Sequence, residues 1–126
     1  MILKKERVAV VGASPKPERY SNQAVRLLIQ HGHEVVPVNP AASTIEGLPV
    51  VSRLEDLDGH VDTVTLYVSA KRSAVLTDTL IRIRPGRVIF NPGAENPDLA
   101  AALNAQDIHT EEACTLVLLN TNQFQI

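Results

Sequence analysis

Gly12-Ala-Ser14, followed closely by Lys16 and Arg19, is the stretch of this chain best suited to hold an anion. Glycine has no Cβ and its two successors are small, so backbone N–H groups there can come close to a phosphate. A helix starting just beyond adds the positive end of its dipole, and the two cations add charge. The pattern is a nucleotide-type loop of irregular form. It is neither Gly-x-Gly-x-x-Gly nor Gly-x-x-x-x-Gly-Lys-Ser/Thr, because the second and third glycines are missing.

Lys71 and Arg72 carry a related signal. They fall at an expected helix start after Ser69, where cations are unfavourable unless an anion neutralises them. The remaining reactive residue types form no set. His31 and His33 straddle a helix end at Gly32, His60 lies in a turn and His109 in the tail; all four read as solvated, and no metal site is expected. Cys114 has His109, Glu111 and Glu112 nearby in sequence, but proximity in sequence specifies no hydrogen-bonded base. It reads as a small buried hydrophobe, so no catalytic residue is assigned.

These residues must be positioned by 126 amino acids that are 44% hydrophobic and 3% aromatic, with a net charge of −2. That length suits one domain over residues 1–126 with a single core, and the Val, Leu, Ile and Ala content suits a parallel sheet packed by helices. Scarce aromatics and the lack of a basic stripe argue against nucleic acid. No apolar run approaches the roughly 18 residues of a membrane helix. The N-terminal Met-Ile-Leu-Lys-Lys-Glu-Arg7 is too short and too charged for a secretory segment, so a cytoplasmic location is expected. The expected partner is a small-molecule nucleotide ligand, with neither nucleic acid nor membrane; a homodimer is left open. A single cysteine excludes an internal disulfide framework.

In chain order, Val8 to Val11 predict a buried central strand that ends at Gly12. A helix follows from Ser21, as its cap, to Gly32, with Ala24, Val25, Leu27, Leu28 and Ile29 as its apolar stripe. Glu34–Val38 is a second strand, with Pro37 as an irregularity, and Leu48–Val51 a short third. Ser52-Arg-Leu-Glu55 has capping-box spacing and predicts a brief helix. Thr63–Val68 is a fourth strand, and Ser69 caps a helix with Val75, Leu76, Leu80 and Ile83 on one face, stopped by Pro85-Gly86. Arg87–Phe90 is a fifth strand. Asn96 and Pro97 sit at N-cap and first-turn positions of a helix ending near Gln106. In the last stretch, Asp107 to Ile126, residues 108–110 suit an edge strand, while Thr115–Leu119 fits strand or helix. The alternation predicts a doubly wound, mainly parallel α/β sheet in the order 3-2-1-4-5. A crevice then lies above the first and fourth strands, with Gly12-Ala-Ser14 opposite Ser69-Ala-Lys-Arg72.

The string Val-Val-Gly-Ala-Ser-Pro-Lys-Pro-Glu-Arg-Tyr-Ser21, followed by Pro-Val-Asn-Pro40, Val68-Ser69 and Asn91-Pro-Gly93, resembles the small CoA-binding domain proteins. It is also distantly similar to the N-terminal domain of the succinyl-CoA synthetase alpha subunit. The resemblance covers roughly residues 5 to 119. It implies a Rossmann-like single domain of five or six strands flanked by helices, holding coenzyme A or an acyl-CoA across the carboxyl ends of its strands.

By position, the resemblance puts Gly12, Ala13, Ser14 and Lys16 on the phosphates, with Arg19 nearby, and Val38, Asn39 and Pro40 on the adenosine side. It puts Val68, Ser69 and Arg72 on the opposite wall, and Asn91, Pro92, Gly93 and Glu95 toward the pantetheine. Many such proteins end in an Asp-Arg-Cys type motif, which here reads Thr110-Glu-Glu-Ala-Cys114. The second domain of the synthetases, with its phosphorylated histidine, does not follow here, so the implied role is a binding module without inherited reaction chemistry. Two alternatives are an NAD(P)-linked enzyme, disfavoured because Asn39 stands where an acid for the ribose hydroxyl is expected, and a small CoA-dependent enzyme using Cys114 or Glu95, whose partner residues the sequence does not supply.

Overall fold

Val8, Ala9 and Val10 have no exposed surface, and a strand buried in this way needs neighbours on both edges and helices on both faces. The computed structural model describes residues 4–125 and supplies both. Met1, Ile2 and Leu3, part of the charged N-terminal run, and Ile126 of the final stretch lie outside the described residues.

In order, the elements are β1 (Arg7–Val11), α1 (Tyr20–Gln30), β2 (Glu34–Val38), β3 (Thr44–Ile45), β4 (Leu48–Pro49) and β5 (Thr63–Leu66). Then come α2 (Ala70–Ser73), α3 (Thr77–Ile83), β6 (Arg87–Phe90), α4 (Pro97–Asn104), β7 (His109–Glu112) and α5 (Thr115–Asn120). The main sheet has the all-parallel order β2-β1-β5-β6-β7. Alternation along β1 sends Val8 and Val10 into one apolar layer with Val25, Leu28 and Leu119, from α1 and α5. Ala9 and Val11 enter the other, with Leu80, Leu99 and Leu103 from α3 and α4. This is the expected Rossmann-like, doubly wound arrangement, and the chain reverses direction across the sheet between β1 and β5.

The expected third strand is reduced to a remnant. Leu48–Pro49 pairs antiparallel with Thr44–Ile45, and Val51 makes a single parallel bridge to Val38. That bridge uses Val51 N–H to the Pro37 carbonyl at 3.0 Å and Asn39 N–H to the Val51 carbonyl at 3.1 Å. Extending it backward would require N–H donors from Pro37 and Pro49, which have none. Extending it forward would require the Ala41 N–H, which instead donates to Asn39 Oδ1 at 2.7 Å.

Other boundaries differ for local reasons. Ser21 is buried inside α1 instead of capping it, and Arg19 holds the N-cap position without a side-chain bond. Ile29 is on the exposed side of that helix. The capping box at Ser52 does not form: Glu55 lies 3.5 Å from Arg53 Nε, and the segment is one 3₁₀ turn over Leu54–Asp56. The helix expected after Ser69 is broken by a 3₁₀ turn over Ala74–Leu76, which changes the angular step and leaves Val75 80% exposed while Leu80 is buried. β5 ends at Leu66, and α4 stops at Asn104, with Asn96 Oδ1 accepting Leu99 N–H at 3.1 Å as its cap. The stretch with two readings, Thr115–Leu119, is helical.

His33 also departs from expectation, because it is buried. Its Nδ1 accepts the Glu6 N–H at 3.0 Å, and its ring tilts against Phe124 with centroids 5.2 Å apart. Next to it, buried Arg87 donates from Nε to Thr63 Oγ1 at 2.9 Å, reaches Glu6 Oε2 at 3.5 Å, donates to the Phe124 carbonyl, and lies 4.3 Å from the Phe124 ring centroid. This cluster closes the amino end of the sheet.

Burial, the largest cause, holds the His33 imidazole below its usual 6.5; the Glu6 carboxylate opposes this, while His31 and Arg87 reinforce it. The unfolded chain therefore takes up a proton near 6.5 where the folded chain resists. This contribution to stability is complete above that pH and is lost as pH falls through the window below it. Urea midpoints should drop between about pH 7.5 and about pH 5.5, and His33→Gln should flatten that part of the profile. An unchanged slope in the variant would remove His33 as the cause.

Candidate functional site

Gly12 ends β1 with φ +85, and a Cβ added there would lie 2.9 Å from Val68 Cγ1 and 3.1 Å from the Tyr67 carbonyl. No other residue type fits this turn without displacement. The Gly12 and Ala13 N–H groups both donate to the Val38 carbonyl at 3.2 Å, and Tyr67 N–H donates to the Val11 carbonyl at 2.9 Å. The carboxyl ends of β2, β1 and β5 are thereby tied at the floor of one crevice of about 1430 Å³.

Three side chains then fix the loop that leaves Gly12, each by a carbonyl. Asn39 Nδ2 donates to the Ala13 carbonyl at 2.8 Å, buried Asn22 Nδ2 to the Ser14 carbonyl at 2.9 Å, and Arg26 Nη2 to the Pro17 carbonyl at 2.8 Å. Asn22 is itself held, accepting from Arg26 Nε at 2.8 Å and donating to Glu46 Oε2 at 3.1 Å. Ser14 Oγ accepts the Lys16 N–H at 3.1 Å. With these carbonyls engaged elsewhere, the start of α1 presents its N–H end without an acidic residue in its first turn.

The crevice brings together most of the residues expected from sequence. Gly12, Ala13, Ser14, Lys16, Arg19, Val38, Asn39, Pro40, Val68, Ser69, Arg72, Pro92 and Gly93 all line it. Asn91 and Glu95 are not in that lining. Asn91 is buried, donating to Thr65 Oγ1 at 2.6 Å and accepting the Thr115 N–H at 2.9 Å, so it joins β5, β6 and α5. Glu95 is exposed and accepts the Gly93 N–H at 2.9 Å.

Lys71, marked in the sequence by its place at a helix start, lines it too, as do residues not singled out from sequence, among them Tyr20 and Arg53. Five cations, Lys16, Arg19, Arg53, Lys71 and Arg72, thus line the crevice with one carboxylate, Glu55, on a chain whose net charge is −2. That balance favours an anion. Tyr67 lines the wall between them, and its buried hydroxyl has no hydrogen-bond partner among the described residues. Burial pushes its pKa up to about 12; the Thr115 and Thr65 hydroxyls act the other way without reaching hydrogen-bonding geometry. Tyr67 is therefore neutral, with its hydroxyl enclosed near Thr65 and Thr115 in the core layer on the α5 side of the sheet. Cys114 is half-buried, and among the described residues no group of three His, Cys, Asp or Glu side chains is placed to hold a metal ion. No described helix is long and apolar enough to cross a membrane.

A family model described as "CoA binding domain" matches residues 6–120. The Bacillus subtilis (strain 168) protein YneT is 34% identical over 67 residues, which is 53% of this chain and 50% of that protein. The match therefore spans half the length of that curated relative. A crystal structure of an uncharacterized protein superposes with a TM-score of 0.90 at 34% identity, covering 96% of this chain and 99% of the other. A Thermus thermophilus structure follows at 0.86 and 27% identity, covering 95% and 91%. The fold is shared as well with a dinucleotide forming acetyl-coenzyme A synthetase from Ca. Korarchaeum cryptofilum, at 0.73 and 22% identity, covering 86% of this chain and 25% of that one.

The carbonyl clamps give a test that needs no ligand. Asn22→Ala removes the donor to Ser14 and should cost about 1–3 kcal/mol of stability. Its Ala13 and Lys16 amides should exchange with deuterium roughly tenfold faster than in the parent, after correction for global stability, while Val10 is unchanged. Equal protection of the loop in both proteins would show that Asn22 does not hold it.

Proposed function

This chain belongs to the CoA-binding domain family, and from that premise we propose that its crevice binds coenzyme A or an acyl-CoA, with residues 1–126 acting as one non-catalytic binding module. The observation that carries the reading is the fixed Gly12 loop, with five cations lining the same crevice. In this reading the Ser14 N–H and the first-turn N–H groups of α1, together with the side chains of Ser14, Lys16 and Arg19 and close approach to Gly12 and Ala13, take the pyrophosphate. At Gly12 a Cβ would press on Val68 and the Tyr67 carbonyl, so glycine is what keeps the turn that sets this loop. Val38, Asn39 and Pro40 flank the adenosine, Val68, Ser69 and Arg72 form the facing wall, and Pro92 and Gly93 lie toward the pantetheine. Asn91 and Glu95 contribute by shaping that last loop, Asn91 by its bonds to Thr65 and Thr115 and Glu95 by accepting the Gly93 N–H.

Asn39 supports CoA over NAD, since the end of β2 offers no carboxylate to a free ribose hydroxyl. CoA supplies the thiol chemistry when bound, and the residues of this chain bind and orient it.

Isothermal titration should give tighter binding of CoA than of NAD. Lys16→Ala and Arg72→Ala should each weaken CoA by about 1 kcal/mol, roughly fivefold, as exposed cations facing phosphate do. The loss should shrink as salt rises, with circular dichroism unchanged. NAD binding as tight as CoA, or variants that bind CoA like the parent, would contradict the reading.

A further inference from the structure

In a doubly wound sheet, the group at the carboxyl end of the second strand meets the ribose of an adenosine ligand. A carboxylate there accepts a free hydroxyl, and an arginine accommodates a phosphate. Here β2 runs into Asn39, Pro40 and Ala41, none of them charged. Asn39 is committed to the loop, since its amide donates to the Ala13 carbonyl and its Oδ1 accepts the Ala41 and Ala42 N–H groups at 2.7 and 2.8 Å.

The charge at this end comes from the next segment. The Val38–Val51 bridge is parallel, so Ser52 and Arg53 continue beside Asn39 and Pro40, and all four line the crevice. Arg53 is extended there, with φ −138 and ψ 146. Its Nε lies 3.5 Å from Glu55 Oε1 and 3.7 Å from Asp56 Oδ2. Both carboxylates stand nearest Nε, and the side chain is 66% exposed toward the crevice mouth. The two terminal nitrogens make no hydrogen bond among the described residues, and such a planar fork matches two oxygens of one phosphate.

We propose that Arg53 is the specificity-determining residue for a phosphomonoester on the ribose of the bound adenosine. Resting on the CoA reading above, that group is the 3′-phosphate of CoA. The 2′-phosphate of NADP offers the same chemistry from a second source. Arg53 thereby differs in role from Lys16 and Arg19, which flank the loop assigned to the pyrophosphate.

The test is titration of CoA, dephospho-CoA, NADP and NAD into the parent protein, Arg53→Ala and Arg53→Lys at one fixed salt concentration, with melting temperatures to confirm folding. The parent should prefer CoA to dephospho-CoA. Arg53→Ala should lose roughly fivefold to tenfold on CoA and less than about twofold on dephospho-CoA, and Arg53→Lys should recover part of the loss. A parent that does not distinguish the two ligands, or a variant that weakens both or neither, overturns the assignment and leaves the CoA reading standing. Arg53-dependent preference for NADP over NAD, without CoA binding, overturns the CoA reading and keeps the role of Arg53. Binding of none of the four nucleotides overturns both.

Discussion

The Val38 carbonyl accepts two N–H groups, from Gly12 and Ala13, and the geometry of the crevice depends on that forked contact. It requires the chain to leave β1 at φ +85 and to pass within Cβ distance of Val68 and Tyr67, which only glycine permits. Once this turn is made, the loop carbonyls fall where Asn39, Asn22 and Arg26 reach them, and α1 begins with its amino end toward the crevice. The loop is thus ordered by the protein itself, before any ligand arrives, which lowers the entropic cost of binding.

The two ends of the sheet are built on opposite electrostatic terms. At the amino end, Arg87 is enclosed by Glu6, Thr63 and Phe124, with Glu111 at 3.3 Å, so its charge is paired and desolvated. Such an arrangement is costly to break, because removal of one partner leaves a buried charge uncompensated. At the carboxyl end, five cations share an open crevice with one carboxylate. Mutual repulsion among them is reduced when an anion binds, which couples ligand binding to stability.

The fold was legible because its central strands are nearly continuous apolar runs, and Gly12, Gly32, Asn96 and Pro97 mark where they turn or restart. What escaped depends on contacts between segments distant in sequence. The third strand reads as a strand until the donors missing at Pro37 and Pro49 are set opposite each other, which only the register shows. His33 looks like a helix-end histidine until Glu6 and Phe124 cover it. In the crevice, the loop and the Ser69–Arg72 wall were expected because a topological reversal brings them together. Arg53 was missed because its position follows from the one-residue bridge at Val51, although a cation directly after a short strand was a signal to weigh. Asn22 left a fainter trace, as an amide on the buried side of an apolar helix.

A crystal structure of the protein grown with saturating CoA tests most directly whether the Gly12 loop is a phosphate cradle. The pyrophosphate should lie about 2.7–3.2 Å from the Ser14 N–H and the first-turn N–H groups of α1, with the adenosine beside Asn39 and Pro40. CoA bound outside this crevice, or a crevice without CoA at saturation, would contradict it.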